Sequence, residues 1–274
     1  MGQAVVYVLG GLVMKATLVF AALTALAFQA GPALADGADA DLAKQLSNPV
    51  AKLISVPLQS NLDCCIGDGN APKYTLNIQP VVPLTLTPDI NLIVRTILPI
   101  VAEGSPRSGA DSHFGFGDIT QSFFFSPTKA GGVIWGVGPV FLWPIGASGI
   151  GSDKWAAGPT FVALRQSGPV TIGVLANHLW SYAGAAHADA LSATFVQPFV
   201  TYTYPNTTTI SLNTETSYDW THRAWTVPIN VGISHIYAFG GQKVQLQFGG
   251  RSFAVSPDGP NLGVRVAATF LFPK

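Results

Sequence analysis

Trp225-Thr226-Val227-Pro228-Ile229-Asn230-Val231-Gly232-Ile233-Ser234 sorts its residues by turn. Trp225, Val227, Ile229, Val231 and Ile233 oppose Thr226, Asn230 and Ser234. Successive strand side chains point to opposite faces, so this stretch predicts a strand with one apolar and one polar face. Four more segments alternate in the same way. Ile54, Val56 and Leu58 oppose Ser55, Gln59 and Asn61, and Tyr74, Leu76 and Ile78 oppose Thr75, Asn77 and Gln79. Val244, Leu246 and Phe248 oppose Lys243, Gln245 and Gln247, while Val264, Val266, Phe270 and Phe272 oppose Arg265 and Thr269.

Composition decides what the apolar face meets. The 274 residues are 48% hydrophobic and 10% charged, with no formal net charge, and mean hydropathy is +0.37. A soluble chain carries about 25% charged residues, because its surface faces water. The shortfall predicts an outer surface against lipid. Balanced charge also argues against nucleic acid as a partner, since phosphate binding needs excess Lys and Arg.

Helices do not supply that surface. Beyond residue 35 no apolar run reaches the length of a membrane helix, about 18 residues. The longest candidate, Val133 to Ile145, is interrupted by Gly136, Gly138, Pro139 and Pro144. Inside a bilayer only helices and closed barrels satisfy every backbone donor and acceptor, which leaves a barrel. Strands are expected near 52–62, 73–84, 90–102, 116–126, 133–144, 155–165, 170–181, 190–204, 209–219, 225–237, 243–255 and 262–272. Twelve is an even number, as a bacterial single-chain barrel requires.

The connections alternate in length. Thr87-Pro88-Asp89, Gln166 to Pro169, Pro205 to Thr208 and Ala238 to Gln242 are tight, whereas 63–72, 103–115, 145–154 and 182–189 are longer. Short periplasmic turns and longer outer loops give this asymmetry, although 220–224 and 256–261 are short for outer loops. Trp143, Trp155, Trp180, Trp220 and Trp225 flank outer connections, and Phe125, Tyr204, Phe239 and Phe272 flank the opposite ends. Two aromatic bands match two membrane interfaces.

Charge assigns the faces. A Lys or Arg facing lipid at midplane costs about 2–4 kcal/mol, and Arg95, Asp118, Glu215, Lys243, Arg251 and Arg265 all share parity with the polar or small residues of their strands. They are expected to line the lumen with Asn77, Gln79, Asn230, Gln245 and Gln247. Pro80, Pro139, Pro159, Pro198 and Pro228 fall inside strands that have no free edge. Bulges are expected to accommodate them, with parity slips near Pro159 and Pro198.

Met14-Lys15, the apolar Ala16 to Ala30 and the small-x-small Ala33-Leu34-Ala35 predict a cleaved export signal, with the mature chain starting at Asp36. Between Asp36 and Asn48, Leu42 and Leu46 lie one helical turn apart. That stretch either hangs in the periplasm or folds back towards the pore. Cys64 and Cys65 are neighbours, which close only a strained ring, and no zinc spacing surrounds them. They read as incidental thiols in a loop.

No catalytic motif emerges. His178 and Ser181 have opposite strand parity, and His187 with Asp189 lacks a nucleophile. Asn177 stands beside His178 without completing a triad. Gly115-Phe116-Gly117-Asp118 opens a strand rather than a helix, so it is no nucleotide loop.

Blocks of this chain resemble one lineage. They include Asn48-Pro49-Val50-Ala51 through Ile54-Ser55-Val56-Pro57, Tyr74 to Pro80, Phe116-Gly117-Asp118-Ile119, Phe123 to Pro127 and Ile134-Trp135-Gly136-Val137-Gly138-Pro139. Lys154-Trp155-Ala156-Ala157-Gly158-Pro159, Leu175-Ala176-Asn177, Trp180-Ser181, Gln197-Pro198-Phe199, Trp225-Thr226-Val227-Pro228 and Phe270 to Lys274 continue it. The pattern is similar to bacterial barrels labelled neuromedin-U-like or transporter, related to the "MetA-pathway of phenol degradation" proteins. The likeness covers nearly all of the mature chain. It implies an outer-membrane barrel with a transport role. Cys64-Cys65, His178 and the ending Phe272-Pro273-Lys274 depart from the pattern.

The expectation is therefore an all-β chain: signal peptide 1–35, N-terminal periplasmic segment 36–51 and a twelve-stranded antiparallel up-and-down barrel 52–274, both termini periplasmic. Its expected partners are outer-membrane lipid, the barrel-assembly machinery and a small-molecule solute, with no cofactor or metal. Its expected function is passive passage of small solutes, apolar or aromatic ones among them. The rivals are a barrel lipid hydrolase, a structural or interaction barrel, and a secreted β-sandwich.

Overall fold

The computed structural model describes residues 37–67, 69–105, 111–129, 131–257 and 259–273. The proposed signal peptide lies outside the described residues. No described helix is long and apolar enough to cross a membrane.

Among the described residues, helix α1 (Gly37–Leu46) precedes twelve antiparallel strands. These are β1 (Ile54–Ile66), β2 (Ala71–Ile78 and Val81–Thr85), β3 (Ile90–Glu103), β4 (His113–Phe116 and Ile119–Pro127), β5 (Ile134–Trp143) and β6 (Lys154–Ser167). β7 (Val170–Gly184), β8 (Ser192–Thr203), β9 (Thr209–Thr214 and Thr216–Asp219), β10 (Ala224–Phe239), β11 (Gln242–Val255) and β12 (Leu262–Phe272) complete the set. Each pairs with its sequence neighbour, and β1 pairs with β12 from Ile54↔Phe272 to Cys64↔Leu262. The sheet is closed, so no backbone edge is left to face lipid.

Register carries the period-two pattern around the whole cylinder. On β10, Ile229, Val231 and Ile233 are 41%, 54% and 52% exposed, against 4% for Asn230 and 7% for Ser234. The apolar face is therefore the outer wall. In water, each such half-exposed Val or Ile forgoes about half of the roughly 1.5–3 kcal/mol that full burial gives; in a bilayer that deficit disappears. Trp155, Trp180, Trp220 and Trp225 stand exposed at the long-loop end, and Phe125, Tyr204, Phe239 and Phe272 at the other. Tight hairpins close the second end: Gly240 and Gly241 join β10 to β11 with φ of +55° and +89°, the left-handed pair that a two-residue hairpin demands.

Two expectations need correction. Cys64 and Cys65 are not in a loop, because β1 continues to Ile66 through a register shift between Asp63 and Ile66. Both are free thiols, and Cys65 takes φ +71° in that irregularity. The prolines also find several solutions rather than one. Pro228 does sit at a bulge, and β2 is interrupted at Gln79-Pro80. Pro139 faces Pro159 with that ladder unbroken, while β6 slips against β7 shortly before Pro159, between Trp155 and Ala156; Pro198 faces Val174 without a shift. Beside the first pair, a Cβ on Gly138 or Gly158 would overlap the carbonyl of Phe123 or His178. Glycine there lets the next strand close in where proline offers no donor.

The N-terminal segment enters the cylinder. Leu42, Ala43 and Leu53 bury against the inward Ile236 and Leu271, with Leu46 and Ala51 packed alongside. Val50 goes deeper, joining Ile93, Phe124, Val162, Leu164 and Leu175. Gln166 Nε2 donates to the Lys44 carbonyl (2.9 Å), and Lys243 pairs with Asp39. Of the two placements open to this segment, it adopts the one inside the barrel, at the short-turn end.

Candidate luminal site

Strand parity brings polar side chains from β1, β9, β10, β11 and β12 into one luminal network. The β1–β12 register sets Asn61 opposite Arg265, and the β10–β11 register sets Asn230 opposite Arg251. Arg265 donates to both Glu215 oxygens (2.9 and 2.8 Å) and through Nε to Asn61 Oδ1 (2.7 Å). Arg251 donates to Asp63 Oδ2 (3.0 Å) and to Asn230 Oδ1 (3.1 Å), and lies 3.7 Å from Glu215. Asn230 in turn donates to Asn213 (2.9 Å). Two guanidinium and two carboxylate groups thus neutralise one another in a zone where Arg265 is 5% exposed. Buried charges survive only when paired and hydrogen-bonded in this way.

Arg95 stands apart from that network. It donates to Gln79 Oε1 (3.0 Å) and, among the described residues, forms no ion pair. It borders a cavity of about 250 Å³ between residues 45–53 and the inward faces of the surrounding strands. Gln79, Gln197, Asn213 and Gln245 supply amides to its wall; Leu46, Leu53, Val81 and Phe199 supply apolar surface.

The remaining expected lumen residues take several places. Lys243 holds α1 through Asp39. Gln247 reaches Ser211 Oγ (3.4 Å), and Asn77 pairs across the ladder with Gln59. Asp118 is committed to the 144–153 connection, where it accepts from Gly146 N (2.9 Å), Ser152 N (2.7 Å) and Ser152 Oγ (2.6 Å). Sequence reasoning missed Asp63, Asn213 and Gln197, whereas the N-terminal lining is one of the two placements it left open. Asp63 was legible: it lies two residues past Asn61 on the same face.

His178 meets neither Ser181 nor a carboxylate. It points outward, with Nδ1 2.7 Å from Thr194 Oγ1 and Nε2 3.4 Å from Ser192 Oγ. Trp220 Nε1 donates to the same Thr194 hydroxyl (2.8 Å). Ser181 instead accepts from the Leu191 amide (2.9 Å). Among the described residues no cluster of metal-ligating side chains forms.

No family model matches the chain, and no curated protein does. The neuromedin-U-like label therefore gains no support. Solved structures do match. The chain is similar to the COG4313 outer membrane channel from Pseudomonas putida F1, at TM-score 0.64 and 13% identity over 81% of this chain and 96% of that one. Outer membrane phospholipase A from Escherichia coli overlaps at TM-score 0.45 and 12% identity, over 80% and 96%. The β domain of the Bordetella autotransporter BrkA overlaps at 0.45 and 10%, over 81% and 100%. The first likeness shows the fold, a twelve-stranded barrel of outer-membrane type; the two weaker ones add nothing to it.

Proposed function

We propose that this chain is an outer-membrane channel for passive passage of small solutes, with apolar or aromatic compounds among them. The observation that carries this reading is a cavity of about 250 Å³ walled by Arg95 and neutral amides, with an ion-paired luminal network apart from it and an outer wall of exposed apolar side chains. A barrel that served only as a structural post would gain more from an apolar filling than from buried ion pairs. Likeness to a channel of the same fold supports the reading. Residues 37–53 narrow the short-turn end, so solutes pass beside or by displacing this segment. Swelling of liposomes containing the purified protein, in a graded panel of neutral solutes, tests the proposal. Small solutes pass if it is right; vesicles that stay sealed to every solute contradict it.

A second reading has one observation behind it, the outward contact of His178 with Ser192. At 3.4 Å the contact is long for an activated nucleophile, and a threonine hydroxyl occupies the position where a carboxylate or amide would orient the imidazole. Phospholipid hydrolysis that disappears in Ser192→Ala would favour an enzyme over a channel.

A further inference from the structure

We infer that the luminal cavity binds the carboxylate of a small organic acid with an apolar body, with Arg95 as its anion ligand. The inference rests on the channel reading and names its solute class. Three features converge on it.

The first is charge. Arg251 and Arg265 are matched by Asp63 and Glu215, and Lys243 by Asp39. Arg95 has only the neutral Gln79 oxygen as a side-chain partner among the described residues. One of its five N–H groups is thereby used. A half-buried guanidinium with no described carboxylate in contact, its nearest one, Glu215, already shared by Arg251 and Arg265, favours an anion beside it, and its planar fork matches the two oxygens of a carboxylate.

The second is the rest of the polar wall. Gln197 and Gln245 line the same cavity and form no side-chain hydrogen bond with another described residue; Asn213 uses its oxygen on Asn230. Their amide N–H groups remain available as donors to an oxyanion. One uncompensated cation with neutral amides suits a monoanion. A dianion such as phosphate would bring a second charge towards Glu215 without a second free cation to meet it.

The third is shape. Leu46, Leu53, Val81 and Phe199 face the same space. A volume of about 250 Å³ falls below the roughly 300–1,000 Å³ of pockets that take drug-sized ligands. One small acid with an aromatic or branched body fits, its charged end at Arg95 and its body on the apolar wall.

Calorimetric titration of the detergent-purified full chain with benzoate, benzamide and inorganic phosphate tests this. Benzoate should bind at least about tenfold more tightly than its uncharged amide, a gap in the range of one charge-assisted hydrogen bond. Phosphate should compete weakly. Arg95→Gln should abolish the preference for benzoate, and Arg95→Lys should restore part of it. Equal binding of benzoate and benzamide, phosphate binding as tightly as benzoate, or benzoate binding that survives Arg95→Gln would each overturn the inference. The ranking of the three ligands on the unaltered chain decides the matter even if an Arg95 variant does not fold. Swelling of wild-type vesicles in neutral solutes, run alongside, separates the two claims. Sealed vesicles with selective benzoate binding sink the channel and spare the site; permeable vesicles without selectivity do the reverse.

Discussion

Glu215 accepts both terminal nitrogens of Arg265 at 2.9 and 2.8 Å, and it is the residue at which β9 breaks between Thr214 and Thr216. The strand gives up regular pairing where its side chain reaches across the lumen. Breaking a buried pair from one side leaves the other charge stranded, at about 3–5 kcal/mol. Glu215→Ala should therefore lower the urea midpoint of the folded barrel by a loss of that order. Replacing Glu215 and Arg265 together with Gln and Met should cost less than Glu215→Ala alone. Equal midpoints for Glu215→Ala and wild type would contradict the assignment.

The Lys243–Asp39 pair is part-exposed, with side-chain exposures of 31% and 26%, so it contributes only about 0–1 kcal/mol. Its role is placement of α1. Removing residues 37–51 should raise single-channel conductance several-fold, and Lys243→Asp should raise it to a smaller extent. Adding Asp39→Lys to Lys243→Asp should bring conductance back towards wild type. Unchanged conductance after removal of the segment would show that it does not obstruct the lumen.

Gly138 and Gly250 separate backbone crowding from composition. A Cβ at Gly138 overlaps the Phe123 carbonyl, whereas nothing lies within 4 Å of one at Gly250. Gly138→Ala should destabilise the barrel by about 1–3 kcal/mol or block its assembly. Gly250→Ala should leave heat-modifiable gel migration unchanged. Equal tolerance at the two positions would contradict the close approach of β4 and β5.

His222 links two outer connections. Its Nδ1 lies 2.7 Å from Asp219 and its Nε2 3.6 Å from Asp189. The hydrogen bond to Asp219, then the Asp219 charge, raise its pKa above the ordinary 6.5, with Asp189 adding to this. A raised folded-state value means that the link is complete below the unfolded value and is lost as pH climbs past the folded one. Hydrogen exchange in 185–191 and 220–223 should accelerate as pH rises above 6.5 and past the raised folded value, after correction for intrinsic rates. His222→Ala should remove that change; if it persists in the variant, the link is not the cause.

Much of the fold was legible because lipid and lumen impose opposite chemistry on alternate residues. The outer wall of β10 follows from Trp225 to Ile233, and the inward Arg265 follows from its parity. What escaped was set by contacts distant in sequence. Nothing near Val50 announces that it will seat beside Phe124 and Val162. Ser192 meets His178 only because β7 and β8 pair with that register. Asp118 shared parity with the lumen, yet the amides of Gly146 and Ser152 captured it. Proline was the least readable, since Pro228 sits at a bulge while Pro139 and Pro159 face each other across an unbroken ladder beside Gly138 and Gly158.

Adjacent residues of one strand face lipid and lumen in turn. Nitroxide labels placed singly at 229 to 234 in bilayer-reconstituted protein, with oxygen and a polar nickel complex as relaxing agents, test it most directly. Labels at 229, 231 and 233 should collide with oxygen, and those at 230, 232 and 234 should be shielded from it. A flat profile, or a period near 3.6 residues, would contradict it.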